Sequence, residues 1–395
     1  MSPEYFISLD ISPEYREQFT ALSNKSYFNY GGQGTLPTVA LEAIAQSYNY
    51  IQTAGPFSLG VNNWVNQEAN LTREAIAQEL EVTAQTITLT EDVTVGCNIA
   101  LWGLPWQAGD HILLSDCEHP GIIVAVGEIC RRFGVRASTF PVLGHQSDQE
   151  VLKAIAQYLQ PQTRLVVISH VLWNTGQILP LKEINQLCHE QNCLVLVDAA
   201  QSVGQIPLNL TDLDVDFYAF TGHKWFCGPE GLGGLYVSPR VREDLHPTFI
   251  GWRGITPQKT WLPDGRRYEV ATSAFPLYAG LRAAIAIHNQ AGTRSDRYQR
   301  ILQLSQYLHH RLATLPQIQV ISSNPPVTGL VCFQVVNSKS VKSHGAIVAS
   351  LESQGIFTRT LAHPDCIRAC VHYFTLESEI DRLIDYLFKQ IMEGI

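Results

Sequence analysis

Apolar residues gather in short blocks through the first three-quarters of the chain, and between the blocks they recur at helical spacing. The blocks TITL (86–89), HILLS (111–115), RLVVISH (164–170), CLVLVD (193–198), DFYAFT (216–221) and GLYVS (234–238) predict strands. The middle blocks are unbroken Val/Leu/Ile runs, as expected of strands covered on both faces. Helical periodicity spans 119–132, 148–160 and 181–191, and Ser147 with Glu150 makes an S-x-x-E capping box for the second. This alternation predicts an α/β fold: a mainly parallel sheet with helices on both faces.

After about residue 288 the rhythm changes. Helical patterns at 295–314, 341–354 and 376–391 flank short strands near 329–336 and 367–374, which predicts a smaller α+β domain. The expected division is a large domain over 20–288 and a small one built from 1–19 with 289–395. NYGGQGTLP (29–37) leads into a helix, and its glycines let the backbone approach another group closely.

Composition narrows the class. A chain of 395 residues exceeds one small core. Its net charge of −9 without a long run of either sign argues against nucleic acid as partner. MSPEYFISLD has acids and no apolar core region, so no secretory signal is expected, and no apolar run reaches membrane-spanning length. A cytoplasmic protein is expected. The nine cysteines are scattered without C-x-x-C, so neither a disulfide framework nor a metal site is expected.

Ligands of open α/β sheets bind beyond the carboxyl ends of the strands. Those ends carry Asp198 and Gln201 (VDAAQS), Thr221, His223 and Lys224 (TGHK), His119 (DCEHPG) and, at a helix start, Thr94 (TEDVTVGCN). There is no G-x-x-x-x-G-K-[ST], and no G-x-G-x-x-G follows an early strand. The set suits pyridoxal phosphate instead. That cofactor needs a lysine amine, an acid for its pyridinium nitrogen, hydroxyls and a helix start for its phosphate, and a flat group on its ring.

With VDAAQ, TGHK and EHPG in this order, the sequence resembles the NifS-like branch of class V (fold type I) pyridoxal-phosphate enzymes over nearly its whole length. The resemblance implies that Lys224 carries the cofactor, Asp198 pairs with the ring nitrogen, Gln201 bonds the ring hydroxyl and His119 stacks on the ring. Thr94, Thr221 and His223 match phosphate ligands. In RRYEVATSAF, Thr272 matches a threonine that reaches the neighbouring subunit's phosphate, which implies a homodimer with shared active sites. In CIRACVHYF, Arg368 matches the clamp on the substrate carboxylate, and Arg359 is a second candidate.

One departure bears on the reaction. Desulfurases of this family carry a nucleophilic cysteine on a loop just before that arginine, whereas only TLAHPDCI separates Arg359 from Arg368 here. A mobile loop does not fit that length, and Cys366 is expected at a strand start. The resulting expectation is a carbon–sulfur lyase. β-Elimination on cystine or cysteine would give pyruvate, ammonia and a persulfide or sulfide that can feed iron–sulfur assembly, as in the cyanobacterial cystine lyases that this sequence resembles. The alternatives are a NifS-type cysteine desulfurase, a relative acting on a non-sulfur substrate such as kynurenine, and an oxidoreductase or non-catalytic protein on the same scaffold. Which of Trp173 and Asn174 lies near the ring is left open.

Overall fold

The computed structural model describes residues 9, 11–144, 147–322, 324–336 and 343–393. The opening MSPEYFISLD, apart from Leu9, and the first two positions of the helix expected over 341–354 lie outside these.

A short strand, Ser26–Tyr27 (β1), precedes the main sheet. The sheet is built from Ile87–Thr90 (β2), His111–Ser115 (β3), Arg136–Phe140 (β4), Thr163–Ser169 (β5), Leu194–Asp198 (β6), Phe217–Thr221 (β7) and Gly233–Val237 (β8). Their order is β2-β8-β7-β6-β5-β3-β4. Strands β3 to β7 pair in parallel, while β8 runs antiparallel to both β2 and β7. The physical reason is the connection: a loop without a helix joins β7 to β8, too short for a parallel crossover.

The apolar blocks divide their side chains between the two faces. Leu165, Val167 and Leu196 pack into one core, and Val166, Ile168, Val195 and Val197 into the other, all at 0 % exposure. Helices Pro120–Phe133, Asp148–Tyr158 and Leu181–His189 cover the sheet where periodicity places them, and the Ser147/Glu150 capping box is formed. Strand β4 was not anticipated, because it is an edge strand whose sequence, RASTF, is mostly exposed.

The C-terminal part holds Ile318–Val320 (β9), Leu330–Val335 (β10), Ile356–Phe357 (β11), Arg359–Ala362 (β12) and Asp365–Cys370 (β13). A four-stranded antiparallel sheet, β12-β13-β10-β9, packs Val331, Phe333, Ile367 and Ala369 against helices Arg294–Ala313 and Glu377–Glu393. Strand β1 pairs with β11, tying the N-terminal segment to this part. The strand expected over 367–374 ends at Cys370; Val371 still donates to the Gly329 carbonyl, and the chain then turns through His372 and Thr375.

Candidate active site

The carboxyl ends of β2, β3, β5, β6 and β7 open toward one side of the large sheet. A cleft of about 160 Å³ lies there, lined by Thr94, His119, Asp198, Gln201, His223 and Lys224 together with Asp92, Ser169 and Trp173. Six of the ten residues singled out from the sequence thus share one wall.

Each is placed by a local rule. Asp198 ends β6, and its carboxylate accepts from the Ala200 N–H (2.9 Å). It is only 5 % exposed, and burial raises its pKa, opposed by that N–H and by Lys224 and His119. Lys224 follows β7 in the first turn of the loop. Burial pushes its pKa down to about 8, with the Asp198 charge pulling the other way and Arg368 and Arg359 adding to the fall. An amine and a carboxylate in one cleft, with their pKa values shifted toward each other by burial, are the groups a proton-transfer site needs.

Thr94 is the second residue of helix Val93–Gly103, whose N-cap, Asp92, accepts from the Val95 N–H (2.9 Å). Unpaired amides at this end make it a place for an anion. Thr221 lies beneath, buried, with its hydroxyl 2.6 Å from His223 Nδ1. Burial first, then Lys224, lowers the His223 pKa. His119 caps helix Pro120–Phe133 by accepting from the Gly121 N–H (3.2 Å), which fixes the ring at the cleft edge. Its pKa is lowered, chiefly by burial. Gln201 donates to the Gly31 carbonyl (2.8 Å) and accepts from the Trp225 indole (2.9 Å).

The glycine-rich 29–37 stretch packs against this machinery. Gly34 donates to the His223 carbonyl (2.7 Å), and a Cβ there would lie 2.1 Å from the Lys224 carbonyl oxygen. A Cβ on Gly31 would lie 2.9 Å from the Arg368 guanidinium carbon. The close approach expected of these glycines is therefore made to the residues flanking the cleft.

Arg368 lies in β13, buried, and donates to the Trp173 carbonyl (2.9 Å). Arg359, exposed, is its register partner on β12. Neither lines the cleft, yet both charges lower the His119 and Lys224 pKa values. Thr272 is apart from the cleft. It is exposed and lines a larger cavity of about 420 Å³ with Glu91, Arg253 and Glu269.

Of Trp173 and Asn174, the tryptophan lines the cleft. Its indole donates to the Cys117 carbonyl (2.9 Å) and meets His119 edge-on at 5.8 Å. Asn174 turns away and donates to the His363 carbonyl (3.0 Å), holding the tip between β12 and β13. That tip is a tight hairpin: Ala362 and Asp365 are register partners. Cys366 is the second residue of β13, 0 % exposed, packed with Cys332 and Leu361. None of the nine cysteines is exposed.

Sequence reasoning missed Glu118 and Ser169. Ser169 is the register partner of Asp198. Glu118 accepts from the Ser169 N–H (2.9 Å) and the Ser115 hydroxyl (2.5 Å), with the Ser169 hydroxyl 3.0 Å from its other oxygen. Burial, with help from Asp198, pushes its pKa up to about 8. An acid beside His119 reads in the sequence like any solvated helix-start acid, and only the three-dimensional pairing sets it apart. Among the described residues no group of three or more His, Cys, Asp or Glu could hold a metal, and no helix is long and apolar enough to cross a membrane.

Comparison with known proteins identifies relatives of this fold. A solved complex between the cystine C-S lyase C-DES and its reaction product cysteine persulfide is 50 % identical, with a TM-score of 0.91 over 94 % of this chain and 99 % of that one. A C-DES mutant with glycine covalently linked to the PLP cofactor is 49 % identical, also at a TM-score of 0.91, over 94 % and 98 %. A cysteine desulfurase from Escherichia coli O127:H6 is 28 % identical over 402 residues, 93 % of this chain and 95 % of the relative. These neighbours share the fold expected from the sequence, a mixed α/β architecture with a large, mostly parallel sheet. The aminotransferase class-V model matches residues 26–383, and the chain belongs to that family.

Proposed function

We propose that the protein is a pyridoxal-phosphate-dependent carbon–sulfur lyase acting on cystine or cysteine. The observation that carries the reaction is the β12–β13 hairpin. It is too short for a mobile cysteine loop, and the one thiol within it, Cys366, is shut in the small sheet. Without an accessible thiol beside the cleft, sulfur has to leave as its own anion. Likeness to C-DES at about half of all positions supports the same reading.

The cleft fits the cofactor on its own terms. A buried carboxylate, Asp198, has a single backbone donor named above, and a cationic ring nitrogen would complete it. Lys224 is the attachment point. Thr94, Thr221 and His223 would hold the phosphate at the start of helix Val93–Gly103, Gln201 would meet the ring hydroxyl and His119 would cover the ring. Pyridoxal phosphate, when bound, supplies the electron sink for the pair left at Cα.

The chain's residues do the rest. Arg368 clamps the substrate carboxylate, with Arg359, its register partner, as a second cation, and so orients the Cα–H bond. Lys224, with its pKa drawn toward neutrality, takes the Cα proton. The sulfur at Cβ leaves with the bonding pair, and hydrolysis gives pyruvate and ammonia. A persulfide is a weaker base than an alkyl thiolate, so a disulfide substrate needs no nucleophilic cysteine.

The same reading makes the enzyme a cytoplasmic homodimer. Thr272 is exposed and away from its own chain's cleft, as a residue lent to a partner's phosphate site would be. Apolar Phe249, Ile250 and Trp252, 54–70 % exposed, lie close in sequence to the segment that bears it. The split into a large domain (20–288) and a small one (1–19 with 289–395) is supported by the separation of the seven-stranded sheet from the four-stranded one, while β1 and Phe28, within 20–288, pair and pack with the small part. The persulfide or sulfide released can supply iron–sulfur assembly. Product analysis tests the reading. Pyruvate from cystine is expected, and alanine as the main product would turn the assignment to a NifS-type desulfurase.

A further inference from the structure

The carbonyls of the two residues after Lys224 are held from outside the large sheet. The Trp225 carbonyl accepts from His372 Nε2 (3.1 Å), and the Phe226 carbonyl accepts from His288 Nε2 (2.8 Å). Each ring is fixed in the tautomer that this requires. His372 Nδ1 accepts from the Tyr373 N–H (3.1 Å), and His288 Nδ1 accepts from the Tyr373 hydroxyl (2.6 Å). The two imidazoles stack on each other at 5.5 Å and 25°, and His372 also stacks on the Trp225 indole at 5.7 Å and 27°. Both are buried and held neutral: burial, with Arg297 nearby, takes His288 down to about 3, and burial with His288 takes His372 well below its ordinary value.

The path closes on itself. Trp225 donates to Gln201, Gln201 donates to Gly31, and Gly31 packs against the Arg368 guanidinium. Arg368 and His372 belong to one segment, which is also pinned by the Cys370 N–H on the Phe28 carbonyl (2.7 Å) and by the Val371 N–H on the Gly329 carbonyl (2.8 Å). A Cβ on Gly329 would lie 2.9 Å from the Trp225 ring, so only glycine lets the backbone pack this closely on the indole. The segment that carries the substrate clamp thus also grips the carbonyl of the residue next to the lysine. Neither histidine lines the cleft.

We propose that His372 is a positioning residue, which holds the Trp225 carbonyl so that Lys224 keeps a fixed place relative to Arg368. His288 does the same for the following peptide. This rests on the reading that Lys224 carries the cofactor and serves as base. Proton transfer is sensitive to displacements of about 1 Å, whereas a carboxylate clamped by Arg368 still binds.

The test compares holoenzymes carrying His372→Phe, which keeps the ring and its stack but loses the N–H, and His372→Gln, which keeps an N–H donor. The pH titration of the bound cofactor's visible band is recorded without substrate, and kcat and KM are then measured with cystine. The Phe variant is expected to move the titration midpoint by about half a unit or more. It should lower kcat about tenfold with KM within about twofold. The Gln variant should recover most of both. A Phe variant that titrates and turns over like the unaltered enzyme overturns the proposal, as does an equal loss in Phe and Gln. Should the Phe variant fail to fold, His288→Phe releases the Phe226 carbonyl and the Tyr373 hydroxyl but leaves the Trp225 carbonyl held, and it should shift the band in the same sense by less; an unchanged band overturns the proposal. Alanine in place of pyruvate would sink the lyase reaction but not this role, since the titration needs no substrate. A protein with no cofactor band overturns both.

Discussion

Arg359 and Arg368 are register partners across the β12–β13 ladder, the first exposed and the second 2 % exposed. The buried guanidinium is already oriented by the Trp173 carbonyl and by Gly31, while the exposed one is free to be screened. Removing them should therefore have unequal effects. Arg368→Lys keeps the charge but loses the planar fork and should lower kcat/KM for cystine by about 10- to 100-fold. Arg359→Ala should cost about tenfold or less, and its effect should shrink in high salt. Steady-state kinetics at two ionic strengths checks both, and equal salt-independent losses would contradict the assignment.

Glu118 gives a pH dependence with a definite sign. Its folded pKa of about 8 lies above the ordinary 4.5, so the native state holds the proton more tightly than the unfolded chain. The stability this gives is complete below about pH 4.5 and is lost as pH rises through 8. Within that window the slope should approach about 1.4 kcal/mol per pH unit. Glu118→Gln, neutral at every pH, should flatten the curve between 5 and 8. Urea midpoints measured across that range check it; parallel curves for the two proteins would count against a buried neutral carboxyl.

Much of this was legible in the sequence, for a physical reason. Strands buried on both faces must be apolar throughout, so a polar residue at their carboxyl end stands out. That is how Asp198 and Lys224 were found, and the fold brings them into one cleft. Arg136–Phe140 escaped because an edge strand need not be apolar. Glu118 and Ser169 escaped because their pairing links the end of one strand to the end of its neighbour. His372 escaped because its partner, the Trp225 carbonyl, is backbone and leaves no side-chain signal. Thr272 was found by resemblance alone, and a single chain leaves it away from the cleft.

Gly34 should be intolerant of any side chain. The Cβ of Gly34→Ala would fall 2.1 Å from the Lys224 carbonyl oxygen and 2.9 Å from Cys227 Sγ, and the same residue donates to the His223 carbonyl. Backbone has to move, and it is the backbone that carries the lysine. A loss of about 1–3 kcal/mol is expected, with cofactor binding weakened about tenfold or more. Gly60→Ala is the control: nothing lies within 4 Å of its Cβ, and it is in a helix, so stability should change by less than about 1 kcal/mol. Thermal melts and cofactor titration of both variants check the contrast.

A shared active site makes a prediction about mixtures. Lys224→Ala removes the base and attachment point of its own cleft. Thr272→Glu places a negative charge where a partner's phosphate would be bound, and its exposed position leaves the fold intact. Each homodimer should be inactive by itself. In a heterodimer reassembled from the two, both lesions fall on one cleft and the other is complete, because the Lys224→Ala chain lends its sound Thr272 to the sound Lys224 of its partner. Random reassortment makes about half of the dimers mixed, each with one working cleft, so activity should return to about 25 % of the unaltered level. Pyruvate formation from cystine before and after mixing under mild denaturation measures it. If Thr272 served only its own chain, both lesions would still disable separate clefts in the heterodimer, and no activity would return.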